Sequence, residues 1–196
     1  MTRFLFLISL LAWPGRVCSQ DFLGYDAEGL KLKRDQSSVN LSSASQAPEQ
    51  IQVWVFLSAR CPCSNSHVQK LITTAKEWGG LRGSRHFEFV GVHSNQDESP
   101  EEGRKYFESL KLPFAVSRDV GARWADRLGA LKTPHVFVES LSGKILYQGG
   151  IDDSHDGLAT EKNYLRDALR ELSQGIPVSR EKSRSLGCVI TRKAKS

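Results

Sequence analysis

Residues 51–63 read IQVWVFLSARCPC, and the chain continues through SNSHVQKLITTAKEW (64–78) to Gly79-Gly80. Ile51–Leu57 is a short, near-continuous apolar run, as expected of a buried strand. Val68, Leu71, Ile72 and Ala75 recur at helical spacing, and the two glycines stop that helix. Two cysteines, Cys61 and Cys63, therefore flank Pro62 at a strand-to-helix junction. In α/β sheets reactive groups sit off the carboxyl ends of strands.

Working outward, the punctuation stays regular. Phe87–Val92 is expected to be a second strand. Ser99-Pro100-Glu101-Glu102 starts a helix that runs through Tyr106, Phe107 and Leu110, with a capping serine, a first-turn proline and early acids. Phe114–Val116 reads as a short strand, and Asp119 as the cap of a helix carrying Val120, Trp124 and Leu128. His135–Val138 and Ile145–Tyr147 form a hairpin about Leu141-Ser142-Gly143-Lys144, and Glu161–Leu172 is a final amphipathic helix. The order β-α-β-α-β-α-β-β-α predicts an α/β domain over residues 50–175. Its central mixed sheet is flanked by helices, parallel for the most part, with an antiparallel edge from the hairpin.

The chemistry gathers at Cys61. A thiolate at a helix N-terminus feels the helix dipole and free N–H groups, so its pKa falls below the ordinary ~8.5. Ser58, just before it, is placed to hydrogen-bond the sulfur. Cys63 is a poor disulfide partner on a helical turn, because side chains two residues apart do not face each other. Cys188, distant in sequence, is the better resolving candidate. A rival chemistry is metal binding. Cys63 and His67 stand four apart, and Cys61, His93 and His135 fall near the same end of the sheet. Cys61 and Cys63 with His67 or His135 would suit a soft ion such as Cu(I), or zinc. Asp152 and Asp153, after Gly149-Gly150, read as turn residues.

The ends of the chain account for its charge. Residues 1–19 have the form of a secretory signal: Arg3, then the apolar run Phe4–Trp13, then Pro14-Gly15, with cleavage expected after Ser19. About ten apolar residues are too few to span a bilayer. The protein is therefore expected to be exported, periplasmic or extracellular. It would meet a membrane only if the signal stayed uncleaved or Cys18 were lipidated. Residues 20–49 form an N-terminal hairpin or linker, polar over SSVNLSSASQAPEQ and containing the sequon Asn40-Leu41-Ser42. Residues 176–196 form a basic tail bearing Cys188, read as solvated, yet long enough to fold back over the sheet, where a Cys61–Cys188 or Cys63–Cys188 disulfide would pin it. Of the formal net charge of +5, the signal carries +2, the tail +5 and the remaining body −2. The basic balance is thus a property of the tail, and no basic face with interleaved aromatics argues for nucleic acid. With 196 residues, 39% hydrophobic and 25% charged, collagen-like, coiled-coil and wholly disordered classes are excluded.

Six stretches appear in an informative order: Val53–His67 (VWVFLSARCPCSNSH), Val90–Glu98 (VGVHSNQDE), Leu112–Phe114 (LPF), Lys132–Val138 (KTPHVFV), Tyr147–Asp153 (YQGGIDD) and Leu186–Ile190 (LGCVI). Together, over about residues 21–190, they resemble the peroxiredoxin-like redoxins (AhpC/TSA-like) of the thioredoxin superfamily, whose members end in a Gly-Cys tail. The resemblance implies a thioredoxin-like fold in which Pro134 takes the cis form against Cys61, and an opening hairpin around Asp21-Phe22 and Gly29. It implies a thiol–disulfide oxidoreductase acting through Cys61, with Cys188 or Cys63 releasing the mixed disulfide. Pro62, Thr133 and Pro134 would shape the substrate surface, with Thr133 pairing to an extended peptide. Partners would be protein thiols or disulfides and a thiol reductant, with no cofactor. The alternatives are a thiol peroxidase acting on peroxide, or a copper protein similar to the Sco chaperones. The pattern departs from the family at Ser58, which stands where many relatives have the first cysteine of Cys-x-x-Cys-Pro. It also departs at Trp54 and Ser58, which replace the proline and threonine of the peroxidase motif. Arg60 and Lys132 are the candidates for the arginine beside the peroxide.

Overall fold

The computed structural model describes residues 25–26 and 48–192. The expected signal, Cys18, the opening hairpin at Asp21-Phe22 and Gly29, the Asn40 sequon and residues 193–196 lie outside the described residues. The elements are β1 (Tyr25–Asp26), β2 (Glu49–Leu57), α1 (Pro62–Trp78), β3 (Gly80–Arg82), β4 (Arg85–His93), α2 (Pro100–Leu110), β5 (Val116–Arg118), a 3-10 turn (Val120–Ala122), α3 (Arg123–Leu128), β6 (Lys132–Thr133), β7 (His135–Ser140), β8 (Ile145–Gly149), α4 (Tyr164–Ser173) and β9 (Cys188–Val189).

The main sheet runs β1-β5-β4-β2-β7-β8, with β3 paired to β4. The β1/β5, β5/β4 and β4/β2 pairs are parallel, while β7 is antiparallel to β2 and β8 to β7. This is the expected mixed sheet with its antiparallel hairpin edge.

Strand β2 shows why the chain settles this way. Ile51, Val53, Val55 and Leu57 alternate onto one face, against Val68, Leu71 and Ala75 of α1 and Leu165, Leu169 and Leu172 of α4. Trp54 and Phe56 point to the other face, with Val92, Phe137, Ala122, Ala125, Ala130 and Ile190. Each large apolar side chain so buried contributes about 1.5–3 kcal/mol. A strand covered on both faces needs apolar residues at every position, which accounts for the unbroken run.

The helix starts follow their caps. Ser99 Oγ accepts from Glu102 N at 3.1 Å, with Pro100 in the first turn of α2. Asp119 accepts from Trp124 N and Ala125 N at 3.0 Å each, so it caps α3 across the intervening 3-10 turn. Two boundaries differ from expectation. The short strand lies at 116–118 instead of 114–116, because Phe114 is spent on the core, stacked on Phe89. The last helix begins at Tyr164 instead of Glu161, because Asp153 Oδ1 accepts from the N–H groups of Glu161 and Lys162 and holds them in a turn.

The described part of the tail is not a solvated segment. It crosses the domain as a strap. Gln148 N donates to Glu181 O at 2.8 Å and Ser183 N to Gln148 O at 3.0 Å. Ser185 Oγ then donates to Pro134 O at 2.6 Å, and β9 pairs antiparallel with β6, placing Cys188 opposite Thr133. Ile190 is buried in the second core layer, and Arg192 binds Asp126 and the Ala130 carbonyl. No apolar run like Ile51–Leu57 stands in this segment, so backbone pairing and close approach hold the strap. A Cβ on Gly149 would stand 2.1 Å from Ser183 Oγ.

Candidate active site

Cys61 is the N-cap of α1, with extended backbone at φ −79° and ψ 114°. It ends the loop that leaves β2, and Pro62 enters the first helical turn behind it. Its sulfur accepts from Ser64 N at 3.4 Å and, as a thiol, donates to the Thr133 carbonyl at 2.9 Å. The Thr133–Pro134 bond is cis, as the resemblance implied. The sulfur is 2% exposed as part of its residue, under the tail.

The Sγ atoms of Cys61, Cys63 and Cys188 all lie within 4.8 Å of one another, and all three cysteines are free thiols. The expectation that Cys63 turns away from Cys61 rested on helical geometry. Cys61 is a cap with non-helical backbone, so that geometry does not apply to it. Cys63 Sγ also lies 3.3 Å from His155 Nε2.

Opposing effects set the thiol acidities. Burial pushes the Cys61 thiol up. Hydrogen bonds from the Cys188 side chain, from Thr133 and from the Ser64 and Cys188 N–H groups outweigh it, and the net shift is downward. The buried Thr133 hydroxyl has no hydrogen-bond partner in the structure, and its nearness to Cys61 favours the ionised sulfur. Cys188 moves the other way: burial, then its hydrogen bond to and charge repulsion from Cys61, push it up to about 12. Cys63 is also raised, by burial and then by the Cys61 charge. The two thiols are thus driven apart: Cys61 is the more acidic of the pair, and Cys188 is the one that holds its hydrogen.

Ser58 is close to Cys61 but does not bond its sulfur. Its Oγ accepts from Cys61 N at 3.1 Å and Arg60 N at 3.2 Å, and donates to Glu98 Oε1 at 2.5 Å. Glu98 also accepts from Ala59 N at 2.7 Å and lies 2.9 Å from His93 Nε2, which packs beside Arg118. Burial raises the Glu98 carboxyl, but His93, Ser58 and Ala59 outweigh it, so the carboxylate is held ionised. This cluster fixes the 58–61 loop. Glu98 lay inside a motif quoted for the family, yet nothing in its spacing marked it as the anchor of that loop.

The histidines proposed as ligands are not brought to the thiols. His67 Nδ1 lies 2.7 Å from the Cys63 carbonyl and Nε2 3.1 Å from Asp152 Oδ1. His135 packs on Phe137 at 4.5 Å between ring centroids, and burial, then Lys132, pushes it down to about 4. Among the described residues, the group of mutually close metal-capable side chains holds Cys61, Cys63 and Cys188 without either histidine. Sequence reasoning missed His155, which no periodicity or motif marks. Asp152 accepts from Ser154 N, as a turn residue should, and is also ion-paired with Lys70 and His67. Arg60 is spent on Glu102, in two contacts of 2.6 Å.

Comparison with known proteins gives the fold a reference. No family model and no curated protein matches the chain. Among solved structures, it is similar to an uncharacterised conserved protein from Geobacillus kaustophilus, at 26% identity over 77% of this chain and 82% of that one, with a TM-score of 0.66. A hypothetical protein from Sinorhizobium meliloti 1021 is similar at 24% identity over 76% and 82%, also at 0.66. A thioredoxin-like protein solved in its oxidised form is similar at 12% identity over 66% and 82%, at 0.51. The fold is thioredoxin-like. Cys61 at the start of α1 and the cis Thr133–Pro134 bond beside it are the parts of that fold which meet at this site.

Proposed function

We propose that the protein is an exported thiol–disulfide oxidoreductase in which Cys61 attacks and Cys188 resolves. The observation that carries this reading is the placement of Cys188, which β9 holds opposite Thr133 with its sulfur within 4.8 Å of Cys61. The form of residues 1–19 supports export.

The Cys61 thiolate attacks one sulfur of a substrate disulfide. A Cys61–substrate bond forms, the substrate S–S bond breaks, and the other half leaves as a thiolate that takes a proton from water. Cys61 then carries no charge, so the repulsion and hydrogen bond that raised Cys188 disappear. Cys188 ionises and attacks Cys61 sulfur. The remaining substrate half departs as thiol, leaving a Cys61–Cys188 disulfide. Two substrate thiols are produced for one disulfide made, and an external dithiol returns the protein to its reduced form. The reverse sequence oxidises a dithiol, and the relative stability of the two forms sets the direction. Protein thiols and disulfides are the substrates this reading favours; the strand-type pairing of Thr133 expected for an extended peptide is taken by Cys188 of the strap, so β9 must lift for a substrate to pair there.

The test is cysteine mapping. Metal-free protein is equilibrated across glutathione redox buffers, alkylated and digested. A Cys61–Cys188 linkage that appears and disappears with poise is the expected result. Three free, slowly alkylated thiols across all buffers would overturn the reading. Hydrogen peroxide consumption no faster than that of Cys61→Ser is expected, and faster turnover would move the assignment to a thiol peroxidase.

A further inference from the structure

We propose that the reduced protein binds one soft monovalent cation, Cu(I), in three-coordinate fashion on the thiolates of Cys61, Cys63 and Cys188.

Two distant segments supply the donors. Cys61 and Cys63 come from the start of α1, and Cys188 comes from the strap. Disulfide exchange needs only two sulfurs, so Cys63 is left over by that chemistry, yet it lies inside the same 4.8 Å group. Three thiolates bound at about 2.3 Å around a planar trigonal ion stand about 4 Å apart, so closure needs movements below about 1 Å. Cys61 and Cys63 are 2% and 4% exposed, which keeps water from the ion. The N-terminus of the 17-residue helix α1 offsets part of the thiolate charge.

The donor set selects the ion. Thiolate sulfur is soft and favours Cu(I), zinc or iron–sulfur centres over hard cations. Structural zinc is closed by four ligands. Among the described residues no fourth histidine, cysteine or carboxylate joins the mutually close group. His155 reaches Cys63 Sγ but is outside that group, so it acts as an outer partner that orients Cys63. His67, bonded to the Cys63 carbonyl, fixes the same turn from behind. Loading replaces the thiol protons: the S–H bonds of Cys63 and Cys188, and that of Cys61 where it is still protonated, break as three metal–sulfur bonds form, and the protons go to water. No electron is transferred. Ion and Cys61–Cys188 disulfide exclude each other, because both use the same two sulfurs.

The experiment is an anaerobic titration of fully reduced protein with Cu(I) against a chromogenic Cu(I) chelator, with X-ray absorption of the loaded form. One equivalent bound through three sulfurs is expected. Cys63→Ser and Cys188→Ser are each expected to weaken Kd by more than the ~10–100-fold typical of losing an outer-shell partner, and His155→Ala to fall within that range. A tenfold excess of Zn²⁺ should not displace the ion. Unchanged affinity in Cys63→Ser or Cys188→Ser, two-sulfur coordination, or displacement by zinc would overturn the proposal. Circular dichroism of each variant confirms that it is folded. The disulfide mapping above uses metal-free parent protein, so either proposal can fail while the other stands.

Discussion

Gly187 lies so close to Thr133 that a Cβ built on it would stand 2.0 Å from the Thr133 carbonyl oxygen. The same oxygen lies 2.9 Å from Cys61 Sγ. The strap therefore reaches the thiol only through a residue without a side chain. The clash is with backbone, so no rotamer change relieves it. Gly187→Ala is expected to lift β9 from β6 and cost about 1–3 kcal/mol, the range for overpacking a close contact. Cys61 should then be alkylated at least ~10-fold faster, since it is covered by that strap. Limited proteolysis should cut between residues 176 and 188 sooner than in the parent. Parent-like alkylation and cleavage would show that the strap does not guard the sulfur.

The Cys61 thiolate depends on Cys188. Burial alone would raise the Cys61 pKa, and the Cys188 hydrogen bond is the largest effect opposing it. Cys188→Ala is therefore expected to raise the Cys61 pKa, read from thiolate absorbance and iodoacetamide rates against pH. Cys188→Ser, which keeps a donor, should restore part of the shift. A Cys61 titration unmoved by Cys188→Ala would leave Thr133 and the Ser64 N–H at the helix terminus as the causes.

The fold was legible because its punctuation is local. The run Ile51–Leu57, the Ser99-Pro100 start and the Gly143 turn each declare an element within a few residues. Cys61 and Thr133-Pro134 were legible for the same reason, since each sits at an element boundary. The tail's length allowed it to fold back, but its path was not legible, because its hold comes from backbone pairing to β6 and β8, which leaves no hydrophobic period to read. Gly187 and Gly149 look like turn glycines in sequence, and only the packed chain shows them as points of close approach. His155 and Glu98 act through loops 92 and 40 residues away from Cys63 and Ser58, a separation that spacing rules do not reach.

Ser58 sits between backbone and charge. Removing its hydroxyl leaves Cys61 N and Arg60 N without that acceptor and takes one donor from the buried Glu98 carboxylate. Ser58→Ala is expected to cost about 1–3 kcal/mol by urea unfolding, the penalty for unsatisfied buried polar groups. It should also slow formation of the Cys61–Cys188 disulfide by loosening the loop that aims Cys61. Threonine, which keeps the hydroxyl, should recover most of both effects. A stability loss with unchanged disulfide kinetics would make Ser58 a purely structural residue.

The His67–Asp152 pair predicts a pH window for stability. Burial lowers the His67 pKa, but the bonds to Asp152 and to the Cys63 carbonyl outweigh it, and the net shift is upward. Its contribution is therefore complete below the unfolded value near ~6.5 and is lost as pH rises through the higher folded value. Burial raises Asp152, but His67, Lys70 and Ser154 hold its carboxyl far below the usual carboxylate range. That contribution is present above the unfolded value near ~3.9 and is lost as pH falls toward the folded one. The pair therefore contributes most between about pH 4 and 6.5. Asp152→Asn is expected to cost ~3–5 kcal/mol there, as for one partner removed from a buried ion pair. Urea midpoints measured from pH 4 to 9 should show the gap between parent and variant narrowing at the alkaline end, once His67 has lost its proton, with the part held by Lys70 and Ser154 remaining. Curves that stay parallel across the whole range would mean that His67 is neutral in the folded protein, with Lys70 alone partnering the carboxylate.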